Sequence, residues 1–140
     1  MGSRRQAREA SLQVLYLCDI CNFEPDSVDG ALVFRSLNVP NSSCEFAEKL
    51  VSGTWAKKKM LDGIISRYAE NWELDRMAAI DRNILRMSAF EITDMPETPL
   101  SVIIDEAVEI AKKFSTADSG KFVNGILDKL KSARPEAANK

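Results

Sequence analysis

Two features of this sequence could carry chemistry, and one residue type is missing. The first feature is Cys18-x-x-Cys21, which looks like half of a metal or redox motif. The second is a set of cations, with Arg4, Arg5 and Arg8 near the start and Lys121 beside Phe122 near the end. The missing type is histidine, of which the chain has none. Without it, a Ser-His-Asp or Cys-His constellation cannot form, and neither can a histidine general base. The cysteines number three, at 18, 21 and 44, with no second CxxC, so a tetrahedral zinc site lacks ligands. A thioredoxin-like motif would need a βαβ setting that is absent. Cys18 and Cys21 therefore read as members of a hydrophobic helix. No P-loop, GxGxxG or HExxH pattern occurs. Carboxylates are plentiful but fall on charged helix faces beside lysines. An Asp/Glu acid–base pair is the one catalytic arrangement left open, and the sequence points toward binding rather than catalysis.

Charge limits what is bound. The net charge is −2. Residues 1–70 carry nine Lys/Arg and nine Asp/Glu, and residues 71–140 carry ten and twelve. No global basic field draws in nucleic acid, so a nucleic-acid surface must be a local patch beside acidic regions. The odd cysteine count and a start without an apolar h-region point to a reducing cytoplasm. No apolar run approaches the roughly 20 residues of a membrane span.

Helices must position these residues. Through residues 3–20, Ala7, Ala10, Val14, Leu15, Cys18 and Cys21 recur at helical spacing, with Leu12, Tyr16 and Ile20 as a second stripe. Arg8, Leu12 and Tyr16 fall along one side. A short helix is expected over Val28 to Leu37, and a third capped by Ser42 or Ser43, with Glu45 and Glu48 early, carries Phe46, Leu50 and Val51. Gly53 is expected to interrupt it before "TWAKKKMLDGIISRYAENW". In the next helix Ile84, Leu85, Ala89 and Ile92 make the apolar stripe, with Asp81, Arg82, Asn83 and Arg86 on a polar side. "PETP" closes it. Thr98 then caps a helix that starts at Pro99. There Leu100, Ile103, Ile104, Ala107, Val108, Ala111 and Phe114 keep helical spacing, and Glu109 pairs with Lys113. Asp118 caps the last helix, whose C-terminal dipole suits Lys129, Lys131 and Arg134. Nothing alternates at period two. The fold class is all-α, with six to seven helices in two packed subdomains, about 1–71 and 72–134, forming one domain with a frayed tail over 135–140.

Pattern alone leaves the surface features open. The arginine cluster is either a phosphate site or a solvated helix start. Cations at a helix N-terminus oppose the dipole at about 0.3–1 kcal/mol each, and a bound anion would relieve that. Lys57-Lys58-Lys59 reads as a solvated face. Arg82 and Arg86 either reach phosphate or pair with nearby acids. Phe122 is core by spacing, yet an aromatic beside a cation is also how proteins stack unpaired bases. Gly120 and Gly125 fall in the same helix, where an interior glycine costs about 1 kcal/mol relative to alanine. The absent side chain at Gly125 implies the close approach of another helix.

The blocks "RRQAREASLQVLYLCDI", "AAIDRNILRMSAFEI" and "SVIIDEAVEIAKKFSTADSGKFVNGILDKL", in this order, resemble the NusB family of bacterial transcription antitermination factors. The likeness spans essentially the whole chain. It is most specific in the last block and loose over 22–60. It implies an all-helical fold of two packed subdomains, no cofactor and no catalysis. It implies binding of the boxA element of nascent RNA together with NusE, a protein of the small ribosomal subunit. It also implies assembly with RNA polymerase and other Nus factors for read-through, notably in rRNA operons. By motif match, Arg4, Arg5, Arg8, Lys121 and Phe122 face RNA, with Tyr16 and Arg86 as weaker matches. Asp81 and Asp118 face NusE. Gly120 departs from relatives that carry a larger polar residue there. Some members self-associate, which makes a homodimer a second state to test. Two rival readings remain: an RNA-modifying enzyme of which this is a NusB-like part, and a helical adaptor that binds protein alone.

Overall fold

The described residues of the computed structural model are 2–25, 33–34, 37–70 and 73–135, with side chains from Arg4 onward. Among them are six α-helices and no strand. They are α1 (Gly2–Cys21), α2 (Asn41–Ala56), α3 (Lys58–Tyr68), α4 (Ala79–Asp94), α5 (Leu100–Phe114) and α6 (Ala117–Leu130), with 3₁₀ turns at Leu74–Arg76 and Lys131–Ala133. The chain divides into two compact units, Met1–Ala56 and Lys57–Lys140. The division falls ahead of the 71–72 region marked by the sequence.

In the first unit α1 packs on α2. Ala7, Ala10, Ser11 and Ala47 are fully buried small residues, and Ser11 Oγ donates to Ala7 O at 2.8 Å and to Ala47 O at 3.2 Å. Larger side chains could not sit at such a crossing. The two apolar stripes of α1 would carry burial to its C-terminal end. Instead Leu17, Ile20 and Cys21 are exposed. Asn22 ends α1 at φ 56°, and Phe23 N–H returns to Cys18 O, the bond of a Schellman cap. Asn38, φ 59°, does the same through Val39 N–H to Phe34 O. The helix expected over 28–37 lies largely outside the described residues, as do the residues beyond Pro135.

Several expected boundaries shift. α2 begins at Asn41, so Ser42 and Ser43 lie within its first turn, and it runs through Gly53 to Ala56. Burial of Leu50, Val51 and Thr54 around that glycine outweighs its propensity cost. The break falls at Lys57, whose ammonium pairs with Asp94 rather than sitting on a merely solvated face. Pro99, not Thr98, is the N-cap of α5, with no side-chain cap bond. Thr116, not Asp118, caps α6, accepting from Ser119 N–H. Glu109 pairs with Lys112 at 3.3 Å.

In the second unit α4 contacts α3, α5 and α6 and is buried on every side from Asn83 to Ile92. The face expected to be polar surface is therefore interior. Arg86 is 5% exposed and holds Asp62 with two bonds, Nε at 2.6 Å and Nη2 at 2.9 Å, while Nη1 donates to Asn83 Oδ1 at 3.2 Å. Arg82 donates to the carbonyls of Leu74 and Met77, bracing the turn before α4. At the other end Arg134 was expected to serve the dipole of α6. Instead it is buried and donates to the carbonyl oxygens of Glu91, Ile92, Met95 and Thr98, closing the C-terminus of α4. Ile92 O is an orphan acceptor because Pro96, four residues on, has no N–H, and Thr98 O lies in the following loop. Glu91 O and Met95 O already accept from Met95 and Thr98 N–H and gain a second bond.

The two glycines of α6 exchange roles. A Cβ at Gly125 would meet nothing within 4 Å, which overturns the close approach expected there. A Cβ at Gly120 would stand 3.0 Å from Cγ of Lys112, whose stem crosses the helix at that point. Gly125→Ala should therefore raise stability by about 0.5–1 kcal/mol, the ordinary helix-propensity gain. Arg134→Ala should lower it by about 2–3 kcal/mol, since it strands carbonyls that bond a charged donor. Urea titrations followed by circular dichroism measure both.

Candidate nucleic-acid interface

Two sets of residues named from the sequence are held in place by the fold, one in each unit. In the first unit, helical spacing puts Arg4 and Arg8 one turn apart on α1. The guanidinium carbon of Arg4 lies 4.0 Å from the centroid of the Phe46 ring and that of Arg8 lies 5.2 Å from it. Arg4 is exposed, Arg5 half-buried and Arg8 only 3% exposed. The cluster is thus graded, with Arg4 presented to solvent and Arg8 lying deeper on the same ring. Leu12 is fully buried and Tyr16 is half-buried farther along that side.

In the second unit the starts of α4 and α6 frame a pocket of about 300 Å³ lined by Ala78, Asp81, Thr116, Asp118, Ser119 and Phe122. Asp81 lies in the first turn of α4 but is 7% exposed. Its Oδ2 accepts from Ser119 Oγ at 3.2 Å, and its Oδ1 is buried without a partner. Ser119 is the hub of the pocket wall. Its Oγ takes Thr116 Oγ1 as donor at 3.3 Å and lies 2.8 Å from Ser115 Oγ. With its own proton on Asp81, Ser119 must accept from both neighbours, and the hydroxyls polarise in one direction. Burial pushes the Asp81 carboxyl up from its ordinary value, and the Ser119 hydrogen bond opposes that only in part. Phe122 is half-buried in the wall, and Lys121 and Asp118 are exposed beside it. Phe122 is thus neither the core residue that spacing suggests nor fully at the surface.

Arg86 differs from the others. Its guanidinium is spent on Asp62 and Asn83, so it has little to offer a phosphate and acts as an internal brace. Sequence reasoning missed Ser119, Thr116, Phe46 and Lys112. The Thr116-x-x-Ser119 spacing is a capping signal that could have found the first two. Phe46 and Lys112 act across helices and leave no local signal. Among the described residues no His/Cys/Asp/Glu group could hold a metal ion, and no helix is long and apolar enough to cross a membrane.

The pocket sets the buried Asp81 carboxyl in one wall with the Phe122 ring. The arginine patch can receive an anion. Residues 5–132 match the NusB family. The chain is 42% identical over 140 residues to the transcription antitermination protein NusB of Elusimicrobium minutum, covering 99% of this chain and all of that one. It is 46% identical over 132 residues to that of Symbiobacterium thermophilum, covering 89% and 86%. The fold is similar to T. maritima NusB, with TM-score 0.82 and 34% identity over 97% of this chain and 96% of that one. It is also similar to a chain from the crystal structure of antitermination factors NusB and NusE in complex with dsRNA. There the TM-score is 0.81 and the identity 28%, over 95% and 98% of the two chains.

The pH dependence of the Asp81 site has a definite sign. A carboxyl raised in the folded state adds stability when protonated and loses that contribution as pH rises through its folded value. At neutral pH the ionised group is therefore a burden on the free protein. Asp81→Asn should melt higher than the parent at pH 7, and the gap should close as pH falls toward 4. A gap independent of pH in parallel thermal melts would show that burial does not set the carboxyl.

Proposed function

This chain belongs to the NusB family, and we propose that it acts as a transcription antitermination factor, not an enzyme, that binds boxA RNA jointly with NusE. On this reading it supports read-through by RNA polymerase, with other Nus factors and notably in rRNA operons. The observation that carries it is the near full-length likeness to a NusB seen with NusE and double-stranded RNA. Arg4, with Arg5 beside it, meets backbone phosphates, while Arg8, buried on the Phe46 ring, supports the patch from beneath, with Tyr16 farther along α1. Lys121 and Phe122 take an unpaired base, with the cation on the phosphate and the ring on the base face. Asp81 and Asp118 face NusE, Asp118 from the exposed rim of the pocket and Asp81 from its buried wall. Arg86 stays with Asp62 and holds α4, and hence Asp81, in position. No cofactor takes part.

Physical chemistry favours shared binding. With net charge −2, the protein alone makes few phosphate contacts. Each one on single-stranded RNA contributes about −0.7 to the slope of log K against log salt, so affinity is modest and salt-sensitive. Base discrimination then needs surface from a second protein. Labelled boxA RNA titrated with the protein alone and with added NusE should show much tighter binding in the second case. Equal affinities would sink the cooperative reading, and a scrambled RNA bound as well as boxA would remove its specificity.

Phe122→Ala should weaken RNA binding by about ten- to a hundredfold, the range of one lost base–aromatic stack. Its melting temperature should hardly change, because the ring is half-buried rather than core. A large drop in melting temperature would return Phe122 to the interior. Light scattering of the free protein tests for a homodimer.

A further inference from the structure

We propose that Phe46 is a positioning residue for RNA contact, its ring holding the guanidinium groups of Arg4 and Arg8 so that Arg4 is presented to a backbone phosphate. This rests on the RNA-binding reading above. Phe46 sits on α2 at 8% exposure, where sequence spacing suggests nothing beyond core packing. Its neighbour Ala47 receives the Ser11 hydroxyl across the helix crossing. That close crossing brings the ring alongside the first turns of α1. The two guanidiniums then lie 4.0 and 5.2 Å from its centroid.

Three arginines in the first two turns of α1 face an unfavourable helix dipole, and two of them converge on one ring. The electron-rich face of the ring offsets part of that repulsion. A bound anion would lower it further, and Arg4 is the exposed member through which it can bind. A free arginine loses side-chain freedom when it clamps a phosphate. One already stacked has lost much of that freedom beforehand, so more of the contact appears as affinity.

The protein is assembled with NusE and titrated with labelled boxA RNA at several salt concentrations. Phe46→Leu should weaken binding by about three- to tenfold, the range of a cation–π contact in a partly desolvated place. Phe46→Tyr, which keeps the ring, should restore it. Arg4→Ala should weaken binding and flatten the salt slope, and Phe46→Leu added to Arg4→Ala should cost little more. Parental affinity in Phe46→Leu overturns the proposal, and so does a Phe46→Leu loss that simply multiplies with that of Arg4→Ala. If Arg4→Ala itself binds like the parent, the RNA reading of this patch fails as well. If Arg4→Ala weakens binding and Phe46→Leu does not, only the positioning role fails. A measurement on the unsubstituted protein is independent of whether variants fold. The Arg4 Nε–H resonance should carry a ring-current shift that persists with RNA bound, and an unshifted resonance would overturn the proposal.

Discussion

The clasp of Arg134 on the C-terminus of α4 is the contact on which the second unit depends. A helix buried on every side cannot leave its last carbonyls to water. One side chain from the far end of the described chain reaches four carbonyls between Glu91 and Thr98, among them Ile92 O, which Pro96 leaves without a backbone donor. The same requirement recurs along α4. Arg86 needs Asp62 and Asn83, and Arg82 needs the carbonyls of the preceding turn. A buried charge without such partners would be strongly destabilising. The polar residues of α4 are thus internal fittings, and they fix the helix along its length and about its axis.

Asp81 is the exception, and it lies at the opposite end of α4. Its carboxylate has one oxygen satisfied by Ser119 and one buried without a partner, in a residue that lines a pocket. A helix so firmly clasped elsewhere can hold one unsatisfied group in place. Such a group costs stability in the free protein and returns it when a donor arrives. The tension is local, and on the proposed reading it serves recognition.

A similar logic applies to the arginines of α1. A protein with a net charge of −2 cannot rely on a diffuse field to find a polyanion. On the proposed reading a few cations held in defined places serve instead. Arg4 and Arg8 on the Phe46 ring are such a pair, set by helix packing rather than by charge density. Gly120 belongs to the same economy of space. It admits the Lys112 stem across α6, next to the residues that line the pocket.

Much of this was legible from spacing. Helical periodicity is a local property, so the all-α class and the buried stripes of α4 and α5 could be read directly. Ile84, Leu85, Ala89, Ile92, Ile103, Ala107 and Ala111 are buried as their spacing requires, while Leu100, Ile104, Val108 and Phe114 of the same α5 stripe are half-buried and Ile110, outside it, is buried. The order of the motif blocks carried the family likeness, and with it the residues now proposed to meet RNA and NusE. What periodicity could not convey is which polar side chains have partners from other helices. Asn83 and Arg86 look like a solvated face until α3 supplies Asp62. Arg134 looks like a cation suited to its own helix until the carbonyls of α4 come within reach. Gly120 and Gly125 are indistinguishable as letters, and only the path of Lys112 separates them. By itself the sequence determined the helices and their apolar faces, because those depend on residues a few positions apart. The tertiary structure alone decided the fate of each charge and each gap, because those depend on atoms far apart in the chain.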